Sequence, residues 1–118
     1  MNKQREIKFK TWDKESKEMS EFFDLAHADC YVNPFSEDPI MQYTGLHDKN
    51  GKEIYEGDIV RWKRNQKNKV NEIIVKIIVG EIIYEIDYIA AKSKNMIYRI
   101  PPRCEVIGNI YENKNLLK

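Results

Sequence analysis

Apolar and polar positions alternate along most of this chain, and glycines, prolines or polar clusters separate the alternating runs. Ile7, Phe9 and Thr11 share one face of Ile7–Trp12, which predicts a half-buried strand. The wholly polar Asp13–Glu18 reads as a turn. Met19–Val32 supports two readings: Met19, Phe22, Phe23 and Ala26 have helical spacing, and the segment also suits a second strand paired with the first. Asn33–Pro39 contains two prolines and sustains neither a helix nor a central strand, so it reads as a connector. Ile40–Leu46 predicts a short strand. Asn50-Gly51 is the strongest turn signal, since both residues tolerate positive φ, and Glu56-Gly57-Asp58 predicts a second tight turn. In Ile59–Lys63 the pattern sets Val60 and Trp62 on one face and Arg61 and Lys63 on the other, and Arg64–Lys69 reads as a loop beyond them.

Ile73–Ile89 carries the strongest pattern. Up to Val79 it is apolar at both parities apart from Lys76, as expected of a strand covered on both sides. After Gly80, Ile82, Tyr84, Ile86 and Tyr88 point one way and Glu81, Glu85 and Asp87 the other. The more apolar parity thus changes from odd to even, which predicts a tight turn or β-bulge at Gly80. The density of isoleucine disfavours a helix, where β-branched side chains lose χ1 freedom. Met96–Ile100 and Cys104–Tyr111 give further short strands around Pro101-Pro102, and Glu112–Leu117 suits one helical turn. Short strands without a long amphipathic helix imply a mainly β protein. At this size, one sheet face is buried by curling into a small antiparallel barrel or by pairing two sheets. The order of turns, long strands and glycine is SH3-like. The expectation is one domain over 1–118, with an N-terminal hairpin or arm (1–32), a connector (33–39), a barrel core (40–112), a tail (113–118) and little helix.

Composition narrows the picture. With 118 residues, 42% of them apolar and 11% aromatic, the chain can bury one core and is not disordered. No stretch approaches the roughly twenty uncharged apolar residues of a membrane span. The charged start Met1–Glu6 leads to no apolar segment, so no secretory signal is expected and the protein is expected in the cytoplasm. Cys30 and Cys104 are then expected as reduced thiols. Lys and Arg number 20 against 19 Asp and Glu, so no global field draws in nucleic acid or lipid. The basic character is local: Arg61, Lys63, Arg64, Lys67 and Lys69 lie together without an acid among them.

The block Met41-Gln42-Tyr43-Thr44-Gly45-Leu46-His47-Asp48-Lys49-Asn50-Gly51-Lys52-Glu53-Ile54-Tyr55-Glu56-Gly57-Asp58-Ile59-Val60 resembles the YopX family of phage and prophage proteins. Ile7–Lys14 resembles that family's opening strand and Glu105–Asn113 its closing one. The resemblance implies a mostly β cytoplasmic protein of a bacterial host. It implies no activity, because the family is one of uncharacterised function. Physically, Gly45, Gly51 and Gly57 suit positive φ or close backbone approach, and Asp58 suits a turn cap.

Candidate chemistry is sparse. His27 and Cys30 form a His-x-x-Cys pair and His47-Asp48 lies elsewhere, short of the three or four converging ligands of a metal site. The same His27 and Cys30 are the one conceivable nucleophile–base pair, in no recognisable motif, so neither catalysis nor a cofactor is expected. No glycine-rich loop precedes a helix to hold phosphate. Two binding roles remain. The apolar Ile73–Ile83 would aggregate on an open edge, so it is either central in the monomer or covered by another copy, which points to a binding or self-assembly module partnered by itself or by a host or phage protein. The alternative is a nucleic-acid-binding barrel that uses Arg61, Lys63, Arg64, Lys67 and Lys69.

Overall fold

The computed structural model describes residues 7–32, 36–84, 89–94 and 96–117. The predicted alternation at Ile86 and Tyr88 and the connector's Asn33-Pro34-Phe35 lie outside the described residues.

The described chain is mainly β and antiparallel, with two sheets and a curled half-barrel consistent with a small β-barrel. β1 (Phe9–Asp13) and β2 (Glu18–Met19) form a hairpin, and β1 also pairs with β3 (Ile40–His47), which pairs with β4 (Glu53–Tyr55). The second sheet contains β5 (Asp58–Lys67), β6 (Ile73–Tyr84), β7 (Ile89–Ser93), β8 (Met96–Tyr98) and β9 (Glu105–Asn109), in the order β8-β7-β6-β5-β9. Helix is confined, among the described residues, to 3-10 turns at Leu25–Cys30 and Lys114–Leu117.

Met19–Val32 is therefore divided: Met19–Phe23 pairs with β1, as the strand reading predicts, and a 3-10 turn rather than an amphipathic helix follows at Leu25–Cys30. Phe23 makes an isolated bridge to Phe9, and Asp24 then caps the 3-10 turn by accepting from the His27 amide at 3.1 Å. Two apolar clusters form the core, and Ile54 of β4 reaches from the first sheet into the cluster of the second. Trp12, Met41, Tyr43 and Tyr55 pack together under the first. Ile54, Val60, Trp62, Ile82, Ala91 and Cys104 pack under the second, with Val60 and Trp62 inward as their alternation predicts.

The turns follow local chemistry. Gly45, Gly51 and Gly57 have φ of 85°, 82° and 87°. At Gly57 the turn closes when the Asp58 carboxylate accepts from the Tyr55 amide at 2.8 Å, the predicted cap. Burial pushes the Asp58 pKa up to about 6, against the Tyr55 amide and the Lys10 and Lys52 charges, which favour the anion; nearby Asp48 adds to the rise. A raised folded-state pKa means that Asp58 contributes stability below about pH 4 that is lost as pH rises through about 6. Asp58→Asn keeps an oxygen for the Tyr55 amide and removes the titration. We expect the stability of this variant relative to the parent to improve by about 2 kcal/mol between pH 4 and 7. Urea unfolding across that range measures it, and a constant difference would refute it.

Gly80 is neither a turn nor a bulge. β5 and β6 pair without a register break from Ile59↔Glu81 through Val60↔Gly80 to Lys67↔Ile73. Even positions of β6 face inward on both sides of Gly80: Ile82 is fully buried and Ile78 packs against the same cluster. The parity reversal in the sequence marks a change in the outward row, from apolar before Gly80 to acidic at Glu81.

Candidate functional site: the outward face of the β5–β6 arm

Three ladders decide which part of β5 and β6 is covered. β9 pairs with β5 only at Asp58–Arg61, and β7 pairs with β6 only at Glu81–Tyr84. Beyond those points the two strands continue as a ribbon of two, and among the described residues no strand pairs with the outer edge of Ile73–Val79. The ribbon closes at its tip in a short turn, where Asn68 Oδ1 accepts from the amides of Val70 (3.0 Å) and Glu72 (2.9 Å). Asn71 supplies the left-handed residue, with φ of 67°. β5 thus runs to Lys67, and the predicted loop Arg64–Lys69 is mostly strand.

Directly opposed residues of an antiparallel pair share a face. The outward face therefore carries Lys63 beside Ile77, Asn65 beside Val75 and Lys67 beside Ile73. These three aliphatics are 63%, 59% and 69% exposed, and Ile74 and Lys76 on the other face are exposed as well, so the segment predicted to be covered on both sides is bare as far as Ile77. A row of aliphatics on β6 runs alongside a polar, cationic row on β5. At the foot of the arm, Arg61 Nη2 donates to Glu105 Oε1 at 2.5 Å and Lys49 Nζ lies 3.2 Å from Glu105 Oε2. Hydrogen bonds from Lys49 and Arg61 hold the Glu105 carboxyl below the usual carboxylate range. A shallow hollow of about 570 Å³ opens there, lined by Arg61, Lys63, Ile77 and Arg103 among others.

The five basic residues singled out in the sequence do not converge. Lys63 and Lys67 lie on the outward face. Arg61 shares that face but is tied to Glu105. Arg64 is on the opposite face, its guanidinium 5.6 Å from the centre of the Tyr98 ring. Lys69 sits in the tip turn. The strand continues past Lys63, so its alternation divides cations that a loop would have pooled. What sequence reasoning missed is the exposure of Ile73, Val75 and Ile77. The parity reversal at Gly80 was its signal.

The other candidates stand apart from this face. His27 Nδ1 lies 2.7 Å from Asp24 Oδ1, both groups are exposed, and the bond from His27 is the main cause that keeps the Asp24 carboxyl low. Cys30 is exposed, and it lines a separate hollow with His27. Cys104 is buried, which raises its thiol pKa. Among the described residues, no group of three or more His, Cys, Asp or Glu is placed to hold a metal ion. No described helix is long and apolar enough to cross a membrane.

Comparison with known proteins agrees with the fold. The crystal structure of protein EF1440 from Enterococcus faecalis is similar over 98% of this chain and 100% of that one, with 25% sequence identity and a TM-score of 0.63. None of the curated proteins matches. The YopX protein family matches residues 21–118, a span that holds every strand from β3 onward and the whole arm; the chain belongs to the YopX family.

Proposed function

We propose that this protein is a phage or prophage accessory protein of the bacterial cytoplasm that acts without catalysis, as a binding or self-assembly module whose contact surface is the outward face of the β5–β6 arm. The observation that carries this reading is the exposed row Ile73, Val75 and Ile77 on a ribbon that, among the described residues, no further strand flanks. A contiguous exposed aliphatic row marks a contact surface, whereas scattered single residues would not. Family membership supports the phage origin through the resemblance drawn above. The SH3-like comparison is a fold analogy and assigns no activity.

Nucleic-acid binding through Arg61, Lys63, Arg64, Lys67 and Lys69 is the weaker reading. Phosphates would satisfy the cations but leave the aliphatic row facing water, and the cations are divided between two faces and the tip. Sedimentation velocity and mobility assays separate the two. We expect the parent to sediment as an oligomer, Ile77→Glu to sediment as a monomer, and neither single-stranded nor duplex DNA or RNA to shift. A monomeric parent overturns the self-assembly reading. If that monomer also shifts nucleic acid with a steep salt dependence, lost on neutralising Lys63 and Lys67, the nucleic-acid reading replaces it.

A further inference from the structure

We infer that copies of this chain associate head to tail, the basic arm of one docking on an acidic, apolar surface around Glu18–Leu25 of the next. The inference rests on the contact-module reading above and names its partner.

The two surfaces are complementary in charge. Residues 61–79 contain six cations and Glu72 as the one acid, whereas residues 13–29 contain six acids and two lysines. The basic arm and the acidic segment 13–29 are thus of opposite sign, which steers these two surfaces together.

They are also complementary in shape and polarity. On the N-terminal side, Phe22 is 55% and Leu25 67% exposed, and Glu18, Glu21 and Asp24 are exposed beside them. Next to these residues is a hollow of about 500 Å³, lined by Ile7, Phe22, Phe23 and Tyr31 among others, with Asp24 at its rim. The Phe23 and Tyr31 rings stack with centroids 4.9 Å apart and give the hollow an ordered aromatic wall. Lys8 also borders it, but its charge is paired with Glu53. A row of aliphatic side chains presented at strand spacing can enter this hollow while Lys63 and Lys67, on the adjacent row, meet the acids at its edge.

A symmetric arm-to-arm contact is the competing arrangement. Packed face to face, it would set the cationic rows of two arms in one interface, where like charges are costly. A head-to-tail contact is heterologous, so each copy keeps one arm and one acidic surface to offer, and the assembly closes as a ring or grows as an open chain.

Two variants test this together. Ile77→Glu spoils the arm, and the double variant Phe22→Lys and Leu25→Lys spoils the acidic surface. All three positions are exposed, so the folds survive, which parent-like thermal unfolding checks. We expect each variant alone to sediment as a monomer. Mixed, they form a 1:1 complex, because each supplies the half that the other lacks, and that complex dissociates as salt rises from 0.1 to 1 M. Failure of the mixture to associate overturns the inference. So does an acidic-surface variant that assembles like the parent while Ile77→Glu is monomeric; that result leaves the contact-module reading standing and points to arm-to-arm pairing.

Discussion

Replacing Asp48 with alanine is expected to cost about 3 kcal/mol of stability, because it removes a buried carboxylate that three backbone amides depend on. Asp48 Oδ1 accepts from the amides of Asn50 (2.8 Å) and Lys52 (2.9 Å), and Oδ2 accepts from the Val106 amide at 2.9 Å. The first two bonds shape the turn between β3 and β4. The third crosses to β9 in the other sheet, beside a backbone bond from the Lys49 amide to the Cys104 carbonyl at 2.9 Å. One side chain therefore joins the two sheets. Burial alone would raise the Asp48 pKa, but the amides outweigh it and hold the carboxyl below its ordinary value. The sign follows: this stability is present above about pH 4 and is lost as pH falls through the lowered folded-state pKa. Asp48→Asn should fall between parent and alanine, at about 1–2 kcal/mol, since it keeps one acceptor oxygen but turns an amide nitrogen on the Val106 N–H. Urea unfolding at neutral pH measures both, and an alanine variant as stable as the parent would discard Asp48 as the link between sheets.

Gly80→Ala is expected to destabilise by about 2 kcal/mol or more, as overpacking against backbone does. A Cβ at this position would sit 2.9 Å from the Lys92 carbonyl oxygen and 3.3 Å from Trp62 Cη2. The first contact is with backbone and cannot be relieved by a rotamer change, so β7 or the Trp62 ring must move. Trp62 packs edge-on to Tyr98, with ring centroids 5.3 Å apart, so a shifted indole should change the near-ultraviolet circular dichroism as well as the unfolding midpoint. An alanine variant with parent-like stability and spectrum would show that this close approach does not require glycine. In the sequence this glycine suggests a bend, because glycine in a strand signals either a bulge or a close approach and the chain alone does not say which. The unbroken pairing Val60↔Gly80 decides for close approach.

The same distinction explains what was legible of the arm. Alternation at Val60, Arg61, Trp62 and Lys63 was readable because side-chain direction in a strand has a period of two, whatever lies outside it. The end of that strand was not readable. Arg64–Lys69 is rich in Lys and Asn, a composition that suits a loop, yet pairing with Ile73–Val79 holds it extended as far as Lys67. The five basic residues are therefore divided between two faces and the tip, and the exposed aliphatic row lies on the opposing strand.

The sequence by itself determined most of the strands, though not β4 or β7, and the turns at Asn50-Gly51 and Gly57-Asp58, the inward pair Val60 and Trp62, and the family. These rest on local periodicity, on turn residues whose φ preferences act within a few positions, or on a long contiguous motif. Only the tertiary structure decided that Arg61 is paired with Glu105, 44 residues away, that Arg64 lies over Tyr98, and that Ile73, Val75 and Ile77 are bare. Alternation shows that a strand has two faces. Which stretch is flanked depends on where the neighbouring ladders stop, here at Arg61 for β9 and at Glu81 for β7, and past them both faces of β6 are exposed as far as Ile77.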